Sequence, residues 1–153
     1  MSRQKRFMHY FLAHRKVTLE LIGKIGKEHY DYKPTPTSMT AKDLVVHMLT
    51  SFYRFALTAK RGDATPFQEK FDVAENDLVK LADMYTEKTK SVIESLTDED
   101  LNQVIDLTQV LGMQFPAGQL LQVAMDHEIH HKGSLFVYVR EMGHTELPMF
   151  VKA

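Results

Sequence analysis

A spacing constrains this chain more than any other feature. In four separate stretches, residues suited to a core recur at alternating steps of four and three, which sets them along one face of an α-helix. Phe7, Phe11, His14, Thr18, Leu21 and Ile25 mark the first face, within a helix predicted over roughly 3–28. Leu44, His47, Met48, Ser51, Phe52 and Phe55 mark the second, over about 41–60. Leu78, Ala82, Tyr85, Thr89, Val92 and Leu96 mark the third, in a helix beginning between Val73 and Asn76. Leu120, Ala124, His127, His131, Ser134 and Tyr138 mark the last, from Pro116 to about Met142. Four long amphipathic segments of this kind imply an all-α chain folded as a four-helix bundle, with residues 1–153 forming one domain.

Punctuation supports these limits. Pro34 and Pro36 forbid a helix between the first two segments. Thr40 followed by Asp43 reads as a capping box, and Thr97 before Asp98-Glu99-Asp100 as a second cap that opens a short turn at Leu101. Arg61-Gly62-Asp63 stops the second helix and Gly143 the last. Between the third and fourth long helices, Val104 to Thr108 alternates weakly and Gly112 suits a turn, so a short hairpin or irregular segment is expected there.

Composition removes several classes of function. A net charge of −1 offers no field for nucleic acid or an anionic membrane. No apolar run approaches the ~20 residues of a membrane span, and no signal peptide is visible. The chain has no cysteine, which excludes disulfides, thiolate ligands and a cysteine nucleophile and suits a reducing cytoplasm. No phosphate-binding glycine loop, nucleophile elbow or dinucleotide fingerprint occurs. Eight histidines remain, and they turn attention to nitrogen ligation.

His127 and His131 lie one turn apart on the apolar stripe of the last helix. Imidazoles buried side by side need partners for their nitrogens, and a shared divalent metal is one solution. His47 is on the inner face of another helix and can complete the set. Three neutral imidazoles leave a coordination position open, the pattern of catalytic zinc sites. The alternative is three core histidines satisfied by hydrogen bonds. Zinc, nickel, iron and copper all suit such ligands.

Other residues are weaker candidates. His127-Glu128-Ile129-His130-His131 fits the His-Glu-x-x-His pattern, in which Glu128 would act as general base. The chain lacks a downstream third ligand of that kind, and Glu128 reads more simply as a solvent-facing residue. Asp43, one turn before His47, could orient its ring or serve only the cap. Ser134 and Tyr138 could meet a substrate; Tyr138 and Tyr85 read equally well as packing residues with satisfied hydroxyls. His14 is the candidate for an additional ligand, His130 points away from its neighbours, and His9, His29 and His144 read as peripheral.

Several motifs carry a family resemblance. Lys33-Pro34, Ser38-Met39-Thr40 and Val45-Val46-His47 resemble the approach to the second helix in the DinB family of damage-inducible bacterial proteins. Asp126-His127-Glu128-Ile129-His130-His131-Lys132-Gly133, followed by Tyr138-Val139-Arg140-Glu141-Met142-Gly143, is similar to that family's last-helix signature. The resemblance implies a four-helix bundle, frequently a homodimer, with metal ligands at His47, His127 and His131. It also implies a small-molecule substrate, since characterised relatives include thiol-dependent S-transferases and a mycothiol-dependent isomerase, where the metal activates a low-molecular-weight thiol. Lys132 replaces a commoner arginine and Ser134 a common glutamine, so the pocket is expected to differ while the ligands stay. Three functions are therefore in play: a thiol-dependent S-transferase, a metal-dependent hydrolase using Glu128, and a non-enzymatic dimeric stress-response or interaction module with a structural metal.

Overall fold

The computed structural model describes residues 1–153. Four long helices dominate it: α1 (Arg3–Gly23), α2 (Ala41–Arg61), α3 (Leu78–Glu94) and α6 (Ala117–Glu141). Between α3 and α6 lie a short helix α4 (Asp98–Asn102) and a two-stranded antiparallel hairpin, β1 (Val104–Leu107) and β2 (Met113–Pro116). Ile105 pairs with Phe115 and Leu107 with Met113, and the connection is one helical turn, α5 (Thr108–Leu111). Gly112 closes that turn at φ +80°, in the left-handed region that favours glycine. The four-helix expectation and the hairpin both hold. No helix is long and apolar enough to cross a membrane.

Boundaries follow local chemistry. Ser2 caps α1 by accepting from the Lys5 amide, and Asp77 caps α3 by accepting from Val79 and Lys80, so α3 starts at Leu78, slightly later than expected. Helix α1 ends at Gly23 rather than near residue 28, and a 3-10 turn at Lys27–His29 follows. Thr97 and Asp100 form a full reciprocal capping box at α4. At α2, Thr40 accepts from the Asp43 amide, but the return bond is made only at α4, where the Thr97 amide donates to the Asp100 carboxylate.

The core is layered along the helices. One apolar cluster contains Val17, Leu21, Leu44, Leu49, Leu81 and Leu135. A second contains Phe11, Phe52, Ile93, Ile105, Leu120 and Leu121. Along α1, His14 and Arg15 fall between buried members of the two clusters, with Thr18 one turn beyond His14, and along α6 Glu128 and Lys132 do so between Met125 and Leu135. That intermediate layer is polar and fully packed: Arg15 and Thr18 are 0 % exposed, Glu128 and Lys132 each 1 %.

Candidate metal centre

His127 and His131 project together because α6 places residues four apart on one side. His47 reaches them from α2, which packs against α6 over much of its length. The His47 Nε2 lies 3.0 Å from His127 Nε2, and His131 Nε2 lies 3.2 Å from the same atom. One nitrogen from each ring falls within 4.8 Å of the others. All three rings are partly buried.

Hydrogen bonding alone does not account for this triangle. A neutral imidazole Nε2 either donates one proton or accepts with one lone pair. His127 Nε2 faces two other Nε2 atoms, so it can satisfy at most one of them. Three lone pairs directed at a shared cation resolve the conflict. Tetrahedral ligation at zinc–nitrogen distances near 2.0–2.1 Å puts ligand nitrogens about 3.3 Å apart, close to the two short separations here. The donor set therefore fits a divalent ion.

Electrostatics keep the rings in the ligating form. Burial lowers the His47 imidazole below its ordinary value. Burial, then the neighbouring His47 ring, lowers His127. Burial, and then the like charge that His127 and His47 carry when protonated, push His131 down to about 4. All three are accordingly neutral at pH 7 with lone pairs available. Around them, Ser51 Oγ sits 3.4 Å from His47 Nδ1, and Phe55 packs edge-on against His127 with ring centroids 6.0 Å apart. Ser51, not the exposed Asp43, is thus the side chain beside the far nitrogen of His47.

Glu128 requires a correction. It is not solvent-facing: both carboxylate oxygens are buried against α1. Arg15 donates from Nε to Oε2 at 2.8 Å and from Nη2 to Oε1 at 2.9 Å, and Thr18 Oγ1 donates to Oε2 at 2.8 Å. Burial raises the Glu128 pKa, but the Arg15 charge and the Arg15 and Thr18 hydrogen bonds outweigh it and hold the carboxyl below its ordinary value. A carboxylate so stabilised as an anion and so fully engaged is a poor general base, which removes the physical basis of the Glu128 hydrolase.

The remaining histidines fall elsewhere. His14 is buried, but its Nδ1 meets Lys132 Nζ at 2.6 Å and not the triangle. His130 is exposed and stacks edge-on with His131. His9 is exposed, His29 pairs loosely with Glu28, and His144 Nε2 donates to the Lys24 carbonyl at 2.8 Å. The Tyr85 and Tyr138 hydroxyls donate to the backbone carbonyls of Asp72 and Met39. Tyr138 and Ser134 also line a cavity that reaches His131.

Sequence reasoning missed two features of this region. Arg15 gave no signal, because it stands beside the apolar stripe of α1 and reads as a flanking surface residue. Glu128 and Lys132, at the four-residue spacing of a surface ion pair, imitate an exposed helix face. Lys132 is in fact buried and also donates to the Phe150 carbonyl of the C-terminal segment; burial pulls its pKa down to about 8 against the opposing charge of Glu128.

With this geometry in hand, similarity to other proteins becomes informative. The DinB family profile matches residues 1–152. The uncharacterized protein YjoA of Bacillus subtilis (strain 168) is 55 % identical over 150 residues, covering 98 % of this chain and 97 % of its own length. The crystal structure of the DinB-like YjoA superposes with a TM-score of 0.89 at 56 % identity, over 96 % of this chain and 98 % of that one. A DinB-like protein from Bacillus cereus ATCC 10987 gives a TM-score of 0.71 at 19 % identity, over 94 % of each chain, and speaks for the fold alone.

Proposed function

The chain belongs to the DinB family, and from that premise we propose that it is a metal-dependent enzyme of the thiol S-transferase type, with His47, His127 and His131 as ligands. One observation carries the reading: three neutral imidazole nitrogens converge in a way hydrogen bonds cannot satisfy. The family resemblance supplies the thiol. A divalent ion held there acts as a Lewis acid and lowers the pKa of a thiol.

The chain's own residues have definable tasks in that reaction. Desolvation holds the three rings unprotonated, so no proton need leave before they ligate. Ser51 steadies the His47 ring from its far nitrogen, and Phe55 covers the His127 edge against water. The Arg15–Glu128 pair fixes α6 from a face about 100° around the helix from the ligands. With no cysteine in the chain, the sulfur comes from the cosubstrate. The net transfer forms a carbon–sulfur bond, breaks the bond to the leaving group and releases the thiol proton with it.

The test uses untagged protein. Metal analysis is expected to give close to one divalent ion per chain, and His127→Ala to lose most of it. Equal metal in both proteins would remove the site. A chloronitrobenzene electrophile should then turn over only when a thiol is added. Thiol-independent turnover would point to hydrolysis, and loss of thermal stability on chelation, without either activity, to a structural metal.

A further inference from the structure

One side of α6 has no partner within the chain. His127 turns towards His47 on α2, and Glu128 and Lys132 turn towards α1. The third side runs through Gln122, Asp126, Gly133, Val137 and Arg140, all exposed. Apolar surface is mixed into it: Ile129 and Phe136 are only half-buried and Val137 is 49 % exposed. Met149 and Phe150, 71 % and 59 % exposed, extend that surface on the α1 side, where the Phe150 carbonyl accepts from Lys132. At the centre stands Gly133, in the helix interior. A Cβ there would meet nothing within 4 Å. No contact inside the chain therefore calls for glycine, which weakens a helix relative to alanine.

The arrangement about Gly133 is symmetric. Asp126 stands seven residues before it and Arg140 seven after, and at about 100° per residue both lie nearly in line with it. Ile129 and Phe136, four before and three after, fall on one flank. His130 and Val137, three before and four after, fall on the other. A two-fold axis at Gly133 would lay the same helix of a second copy antiparallel across this face. Asp126 then comes opposite Arg140 of the partner subunit, Ile129 beside the partner's Phe136, and His130 beside the partner's Val137. Both charges are free for the pairing, since neither has an ion pair within the chain. Asp126 accepts from the Gln122 amide at 3.3 Å, and the Arg140 guanidinium rests 5.7 Å from the Phe136 ring centroid.

We propose that this face of α6 is an interface between two copies of the chain, antiparallel and centred on Gly133. The glycine lets the two backbones approach closely, as a residue with a Cβ would not. The half-buried apolar side chains lose the rest of their exposure there. The charges at either end set the direction, because a parallel arrangement would place Asp126 against the partner's Asp126 and Arg140 against the partner's Arg140. The occupant is a second copy because the surface complements itself. The hairpin carries another group of exposed apolar residues, Val104, Val110, Leu111 and Met113, but Asp106 is its one charged residue and it has nothing to pair with its own image. His130 and Val137 also line the cavity that opens onto His131, so the partner stands at the mouth of that cavity. The interface contains none of the three histidine ligands and does not rest on the metal.

Sedimentation equilibrium of the full chain tests this, and should give twice the 17.7 kDa of one copy. Gly133→Leu places a side chain where nothing in the chain obstructs it. It should weaken the dimer at least about tenfold while the helical circular dichroism stays unchanged. Asp126→Arg and Arg140→Asp each set like charges opposite one another and should weaken it similarly. Combined in one chain they exchange the two charges and should restore the dimer. Val110→Asp, on the hairpin, should leave it intact. A wild-type monomer, or a dimer that survives Gly133→Leu and both single reversals, would overturn the proposal. Dissociation by Val110→Asp would also overturn it, and so would a double reversal no more dimeric than the single ones. Chelated protein gives the same readout, so the outcome is independent of the metal assignment.

Discussion

Glu128→Gln separates two views of the same residue by which quantity it changes. A general base would lose its proton acceptor and leave stability alone. The buried pair predicts the reverse emphasis. In the wild type, three donors converge on the carboxylate: Arg15 Nε and Nη2, and Thr18 Oγ1. A glutamine amide offers one accepting oxygen, so its NH2 must face at least one arginine donor. The guanidinium, 0 % exposed, then lacks its counter-charge. Breaking such a pair from one side costs about 3–5 kcal/mol, a large part of the ~5–15 kcal/mol that holds a typical domain together. With a urea slope near 2 kcal/mol/M, the midpoint should fall by about 1.5–2.5 M. Arg15→Met should cost a similar amount, because it strands the carboxylate instead. The double variant, Arg15→Met with Glu128→Met, should cost less than the two single changes added, since neither ion is left buried alone. Equilibrium urea unfolding of wild type, Arg15→Met, Glu128→Met and the double variant closes the cycle, with Glu128→Gln measured beside them. A Glu128→Gln midpoint within error of wild type, or strict additivity in the double variant, would refute the reasoning.

The metal-free protein should also lose stability with acid in a defined window. The folded His131 value of about 4 lies below its ordinary 6.5, and His47 and His127 are lowered in the same sense. The unfolded chain therefore takes up protons first, so stability is full above about pH 7 and declines as pH falls from 6.5 towards 4. Urea midpoints measured across that range should slope downward, and His131→Ala should flatten the slope; an unchanged slope would assign it to other groups. At the end of α2, Gly62 adopts φ +81°, where an added Cβ would also come within 2.4 Å of Gln103 Nε2, whereas Gly112 at φ +80° has nothing within 4 Å. Because the Gln103 side chain is exposed and can move, Gly62→Ala and Gly112→Ala should each cost about 1–2 kcal/mol from backbone strain alone. A Gly62→Ala loss several times the other, by thermal unfolding, would show that Gln103 cannot yield.

The helices and the histidine triangle were legible because both depend on period. Residues spaced four and three apart must share a helix face, so His47, His127 and His131 were assigned to inner faces before any distance was known. Thr97, Gly112 and Gly143 marked turns through local backbone chemistry in the same way. The charge layer was illegible for a corresponding reason. A glutamate and lysine four apart look alike whether water or another helix faces them, and only α1 packed against α6 decides the matter. Ser51 was placed on an inner face, but its proximity to His47 Nδ1 depends on rotamers that spacing does not specify. The cavity needed the loop 34–39 folded back onto Tyr138, a contact between residues 99 apart in the chain.

The two polar stripes of α6 have a joint consequence for the centre. His127 and His131 lie on one line along the helix, Glu128 and Lys132 on another about 100° around it. The first line must face His47 on α2, and the second must face Arg15 and His14 on α1. Rotation of α6 that favoured one line would unpair the other, and a shift by one residue would break both. Apolar side chains tolerate small slides and rotations, since one methyl contact resembles the next. The buried ion pair does not, because its two bonds at 2.8 and 2.9 Å fix direction as well as distance. The charge layer thus acts on the metal centre through the angular setting of α6 without touching the ion. The Arg15→Met and Glu128→Met protein carries this argument as well. Even where it unfolds at a urea concentration close to wild type, it should hold cobalt(II) more weakly, and equal affinity would mean that apolar packing alone sets the helix.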